Sequence, residues 1–199
     1  MGRTFGESDL SELRRHIGWV GNEIEPELPS RQTVEQIVLS GRVGTIGIQF
    51  EKPGVTAYVE ARRLMRRAGI LHLAQRSFSA LSQGQRRMVV IVRALMVRPG
   101  LLILDEPAAG LDPVARESFL AKLADLMAKP GSPVIFYVTH HVEEIIPAFT
   151  HVLLLRAGRI LAQGSLGKCL NASALTKLFG RSVRISKRQG RYALRLRDS

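Results

Sequence analysis

Two short, wholly apolar runs constrain this chain more than any other feature. They are Leu101–Leu104 (LLIL) and Val134–Val138 (VIFYV). Each is bounded by turn signals and is short, which suits a buried strand. The pattern between them opens at Asp112–Pro113, a cap followed by proline at the first helical position. It then carries Leu120, Leu123 and Met127 on one helical stripe. Strand, helix and strand in that order predict parallel strands and an α/β domain.

The elements on either side follow from the same periodicities. Thr33–Leu39 predicts a short helix, and Ser40–Gly54, with its glycines and proline, reads as loop. GNEIEPELPSRQ, after the apolar run IGWV, also reads as loop. Tyr58–Ala68 is amphipathic, with Tyr58, Ala61, Leu64, Met65 and Ala68 on one face. Ser82 caps a predicted helix to about Val97, with Met88, Ile91, Val92 and Leu95 at helical spacing. A short helix is expected around Glu143–Ile146, and Val152–Leu155 with Arg159–Ala162 reads as a hairpin. A further helix, Ser173–Phe179, and two strands, Val183–Ser186 and Arg191–Leu196, close the chain. The Gln189–Gly190 pair supplies the tight turn between those strands.

Composition excludes several classes. With 199 residues and 45% apolar residues, the chain can bury a sizeable core, which argues against disorder and against a fibre. The single cysteine, Cys169, allows no internal disulfide and no Cys-rich zinc module, in keeping with a reducing cytosol. No apolar run approaches the roughly 20 residues a membrane helix needs. The net charge of +12 is uneven. Residues 1–155 hold 18 basic and 16 acidic side chains, whereas residues 156–199 hold 11 basic and 1 acidic. A tail of net charge +10 points to an anionic partner or to a solvated basic surface.

Four short strings carry chemistry. In LLILDEP (Leu101–Pro107), Asp105 stands at the carboxyl end of a strand, where open α/β sheets bind ligands. A carboxylate there suits direct or water-mediated coordination of Mg²⁺ on a nucleotide. Glu106, next along, can orient or deprotonate a water; two solvated acids are the plainer alternative. LSQGQRR (Leu81–Arg87) places Ser82 and Gly84 at a helix start, a site for phosphate oxygens or an ordinary serine cap. VTHHVEEI (Val138–Ile145) delivers His140 past the second strand, beside Asp105 and Glu106, where it can donate to a phosphate. His141 competes for that part, and a structural histidine is the alternative. AAGLD (Ala108–Asp112) follows the acidic pair directly.

Taken as an ordered set, these strings resemble the ATP-binding cassette (ABC) ATPase family, from about Asp9 to Gly164. LSQGQ resembles the family's signature motif, LLILDE its Walker B strand, AGLD its D-loop and His140 its switch histidine. The run from IGWVGN onward resembles the Q-loop and the opening of the helical subdomain. The resemblance implies an α/β, P-loop NTPase-like fold, with residues 1–164 as the cassette portion (about 23–80 being the Q-loop and helical subdomain) and 165–199 as a basic extension. It implies a pair of cassettes with two ATP molecules between them. In such a pair Ser82, Gly84 and Gln85 would touch ATP held by the partner. Asp105 would organise Mg²⁺, Glu106 would be the general base, His140 would hold the γ-phosphate and Asp112 would cross the interface. It also implies a membrane-spanning transporter subunit as partner, docking on region 22–54, and a cytoplasmic place at the inner face of the membrane.

Three departures accompany the resemblance. No GxxxxGK[ST] phosphate loop occurs in the sequence; the nearest string, GRVGTIG at Gly41–Gly47, has no lysine after it. The reading is therefore a cassette domain lacking its amino-terminal phosphate-loop portion. Asn22 stands near the place of the Q-loop glutamine, shorter by one methylene, and Gln83 replaces a signature glycine. The main functional expectation is an ATP-binding subunit of a transporter. Two others are a soluble cassette ATPase on nucleic acid or ribosomes, and a non-hydrolytic half-domain. The single cysteine and single signature motif count against a nucleic-acid partner.

Overall fold

The computed structural model describes residues 16–44, 46–47 and 53–197. They fall into two compact units, the first ending at Val138 and the second beginning at Thr139. The first unit opens with β1 (Ile17–Val20), a one-turn helix α1 (Ile24–Glu27), α2 (Val34–Val43) and α3 (Val55–Arg67). Two 3₁₀ turns, Leu71–Leu73 and Phe78–Ala80, lead into α4 (Gln83–Leu95), β2 (Leu101–Asp105), α5 (Pro113–Met127) and β3 (Val134–Val138).

The three strands pair in parallel in the order β1-β2-β3. Val20 lies opposite Leu104, and Asp105 opposite Val138. Their carboxyl ends therefore share one edge, with Asn22 two residues past β1 and Asp105 closing β2. The expected strands are present, but β3 is not buried. Alternate side chains, Trp19 on β1 and Val134, Phe136 and Val138 on β3, face outward, and Phe136 is 52% exposed. Val20, Leu102 and Leu104 point the other way and are buried. VIFYV is apolar on both of its faces, so periodicity alone could not tell a covered strand from an edge strand.

Helix α4 forms the centre of this unit, with Met88, Ile91, Val92 and Leu95 all buried as the spacing predicts. On α3, Ala61, Leu64 and Met65 are buried, and Ala68 just beyond it is too, but Tyr58 is exposed. On α5 the buried stripe is Phe119, Leu120, Leu123 and Leu126, one residue short of the expected Met127.

Helix α2 corrects the reading of 40–54 as loop, because it runs on to Val43 and stops at Gly44 in the left-handed conformation (φ +73°). Its start is a capping box: Thr33 Oγ1 accepts from the Gln36 N–H (3.3 Å), and Gln36 Oε1 accepts from the Thr33 N–H (2.9 Å). Gly41, read as a loop glycine, lies inside the helix, where a Cβ would overlap the Arg93 carbonyl oxygen of α4. The glycine thus serves a helix contact rather than a turn. Ser40 beside it accepts from Arg93 Nε at 3.1 Å. The GNEIEPELPSRQ loop likewise contains α1.

The second unit consists of β4 (His151–Arg156), β5 (Arg159–Ser165), α6 (Leu166–Cys169), α7 (Ala172–Phe179), β6 (Val183–Arg188) and β7 (Arg191–Leu196). Both antiparallel hairpins are present, β4 with β5 and β6 with β7. Each turn, Ala157–Gly158 and Gln189–Gly190, has positive φ at both residues, as a two-residue hairpin turn needs. The helix expected at 143–146 is a 3₁₀ turn, Val142–Glu144. Val142, Leu170, Leu175, Val183 and Tyr192 make the core. Residue 164 falls inside β5, and the basic residues 165–199 share this core with what precedes them. Among the described residues no helix is long and apolar enough to cross a membrane.

Candidate functional site

The first turn of α4 is held by a second capping box. Ser82 Oγ accepts from the Gln85 N–H (3.4 Å), and Gln85 Oε1 accepts from the Ser82 N–H (3.0 Å). Such a cap is worth about 1 kcal/mol to the helix. With both oxygens accepting within the cap, the Ser82 hydroxyl hydrogen and the Gln85 Nε2 hydrogens are the donors that the cap itself does not use. Between them Gly84 is only partly covered.

A Cβ on Gly84 would meet nothing nearer than 3.9 Å, the Ala115 carbonyl oxygen and Leu111. The fold therefore tolerates a side chain there. Replacing Gly84 by alanine is expected to raise stability by up to about 0.5–1 kcal/mol through helix propensity. Denaturant titration of G84A checks this, and a loss of stability would show that packing, not access, demands the glycine.

The segment Ala108–Asp112 lies against this helix start. Gln83 Nε2 donates to the Ala109 carbonyl at 3.5 Å and sits 3.1 Å from where a Gly110 Cβ would be. Gln83 thus fastens the first turn of α4 to the segment Ala108–Asp112, a contact that its sequence position alone did not show. Asp112 caps α5, its Oδ1 accepting from Val114 N–H and Ala115 N–H, both at 2.9 Å. One carboxylate oxygen is thereby committed within the chain.

Asp105 and Glu106, both half-buried, leave the carboxyl end of β2. Glu106 has φ +46°, a left-handed backbone uncommon for a residue with a side chain. Its N–H donates to the Val138 carbonyl of β3 (3.0 Å), and its own carbonyl accepts from Ala109 N–H (3.0 Å). The tight turn that follows a strand here forces the conformation and sets the carboxylate at the sheet edge. Asn22, exposed, leaves β1 at that same edge. Among the described residues no cluster of three or more His, Cys, Asp or Glu could hold a metal unaided.

The model of the ABC transporter family matches residues 1–109. An ABC transporter ATP-binding protein of Streptococcus mutans is 39% identical over 181 residues, covering 91% of this chain and 69% of its own length. The Bacillus subtilis ABC transporter ATP-binding protein YlmA is 38% identical over 192 residues, covering 96% and 72%. This chain belongs to the ABC transporter ATP-binding family. Its fold agrees: CbiO1 from Clostridium perfringens, part of the ABC transporter complex CbiONQ, superposes with a TM-score of 0.69 at 28% identity, over 84% of this chain and 64% of that one.

Within this ABC cassette the candidate residues are divided between the two compact units. His140 belongs to the second compact unit, whereas Ser82, Gly84, Gln85, Asp105, Glu106, Asp112 and Asn22 belong to the first. The His140 and His141 rings are 4.0 Å apart between centroids. The bend they occupy is tied by Thr139, whose Oγ1 donates to buried Glu144 Oε2 (2.7 Å) and accepts from His141 N–H (3.0 Å).

Two further connections escaped the sequence reading. Buried Arg87 on α4 lies 3.1 Å from Glu25 Oε2 on α1, joining α1 to α4. Glu35 on α2 accepts from Arg62 Nε (2.7 Å) and Gln75 Nε2 (3.0 Å), bracing the helical subdomain. A glutamate inside apolar helix flanks was the available signal for the second; nothing local marked the first.

Proposed function

We propose that this chain is the nucleotide-binding subunit of an ABC-type transporter and supplies the signature-motif side of an ATP site shared with a second cassette. One observation carries the reading. The capping box of α4 sets Ser82 and Gln85 on either side of Gly84, which a Cβ would not crowd, at a helix N-terminus, and this supports a phosphate contact there. Bound Mg²⁺ would neutralise phosphate charge, with Asp105 holding it and Asn22 nearby at the sheet edge. Glu106 would take the proton of the attacking water on its carboxylate, and His140 would donate to the γ-phosphate. Asp112 would meet the partner cassette. The family relationship supports a membrane-spanning subunit as the further partner and a cytoplasmic position at the inner face of the membrane.

The test is an amide-shift titration of the isotope-labelled chain with Mg-ATP at millimolar concentration. Shifts concentrated at Ser82–Arg86, and abolished by Ser82→Arg, are expected. Shifts confined to the basic hairpin β6–β7 would refute the assignment.

A further inference from the structure

A second charged feature lies away from the signature motif, between α3 and α5. Two cavities of about 450 and 660 Å³ share Arg63 and Arg67 on their walls. Arg66, Arg98, Lys122 and Lys129 also line them, against two acids, Glu60 and Asp125. Glu60 is already committed. It accepts two hydrogen bonds from Arg63 (2.9 and 2.7 Å) and lies 3.5 Å from Arg98. The Arg63 hydrogen bond, with the charges of Arg63 and Arg98, holds its carboxyl below the usual range, so it stays ionised and balances that pair.

The other four cations face a single acid, Asp125. Among the described residues no carboxylate lies within ion-pair distance of Arg66, Arg67, Lys122 or Lys129. Arg67 and Lys122 are the partly buried members of the four, and one terminal nitrogen of Arg67 donates to Ser132 Oγ (3.1 Å). Basic residues in the last turn of a helix are favoured by its dipole, which accounts for Arg66 and Arg67 on α3. It does not account for Lys122 in the middle of α5.

We propose that the α3–α5 cleft binds a small phosphate-bearing polyanion, gripped by Arg66, Arg67, Lys122 and Lys129. The space exceeds that of a single phosphate, four cations against the one acid Asp125 leave an excess of three positive charges for a phosphate-bearing ligand, and guanidinium forks fit phosphate oxygens. The site is separate from the proposed ATP site and does not depend on it.

Calorimetric titration of the full chain with pyrophosphate, at two salt concentrations, tests the proposal. Binding that weakens with salt is expected. The double reversal Arg66→Glu/Lys122→Glu should weaken it by at least about tenfold, with an unchanged circular-dichroism melt. Arg184→Glu, an equal insult on the basic hairpin, should leave it alone. A parallel arm uses phosphatidylglycerol vesicles. Vesicle binding lost in the cleft variant, without pyrophosphate binding, assigns the phosphate to a lipid headgroup. Failure of both probes, or equal weakening by Arg184→Glu, overturns the site.

Discussion

Glutamine in place of Glu106 is expected to lower kcat for ATP hydrolysis by about 10²–10⁴-fold in a form of this chain fused to a phosphate-loop segment. Nucleotide should stay bound, because the amide keeps the size of the carboxylate and loses only the ability to take a proton. The backbone supports a second arm. Glu106 holds φ +46°, and a left-handed backbone costs a residue with a Cβ roughly 1–2 kcal/mol. Glycine has no such cost, so Glu106→Gly should abolish turnover and yet stabilise the chain by up to about 1 kcal/mol. Improved stability with lost activity would mean that the strained turn is kept for what its carboxylate does. Unchanged hydrolysis in E106Q sinks the general-base role. Lost stability in E106G would instead mean that the side chain's own contacts outweigh the strain.

What the sequence disclosed here was local. The serine at 82 and the Asp-Pro at 112 announce helix starts through chemistry within three residues, and both caps form as expected. The apolar runs at 101 and 134 announce strands, and the two-residue turns at 157 and 189 announce hairpins, for the same reason. What it withheld was long-range. Whether a strand of five apolar residues is covered depends on neighbours far away in the chain, and β3 shows half of its side chains to solvent. The contact of Gln83 with Ala109 spans 26 residues, and that of Arg87 with Glu25 spans more than twice that separation in the chain.

Gly41 is where a local signal misled most, and replacing it should be the most damaging small change in the helical part. The residue lies one position from Ser40, which α4 engages through Arg93, and it lets the two helices approach until only hydrogen fits between backbone and backbone. Alanine would place its Cβ on the Arg93 carbonyl oxygen. That oxygen belongs to the main chain of a buried helix and cannot swing aside, so α2 or α4 must shift. Overpacking of this kind costs about 1–3 kcal/mol. The helix propensity gained by removing a glycine returns at most about 1 kcal/mol. The net loss should lower Tm by several degrees, at roughly 2–4 °C per kcal/mol for a chain of this size. Gly44, three residues on, provides the comparison. It has φ +73° and nothing within 4 Å of a built Cβ, so Gly44→Ala should lose only the conformational freedom, about 1 kcal/mol. A greater loss at 44 than at 41 would mean that α2 and α4 slide apart easily. The first turn of α4, with Ser82 and Gly84, would then be free to move relative to the rest of the helical subdomain.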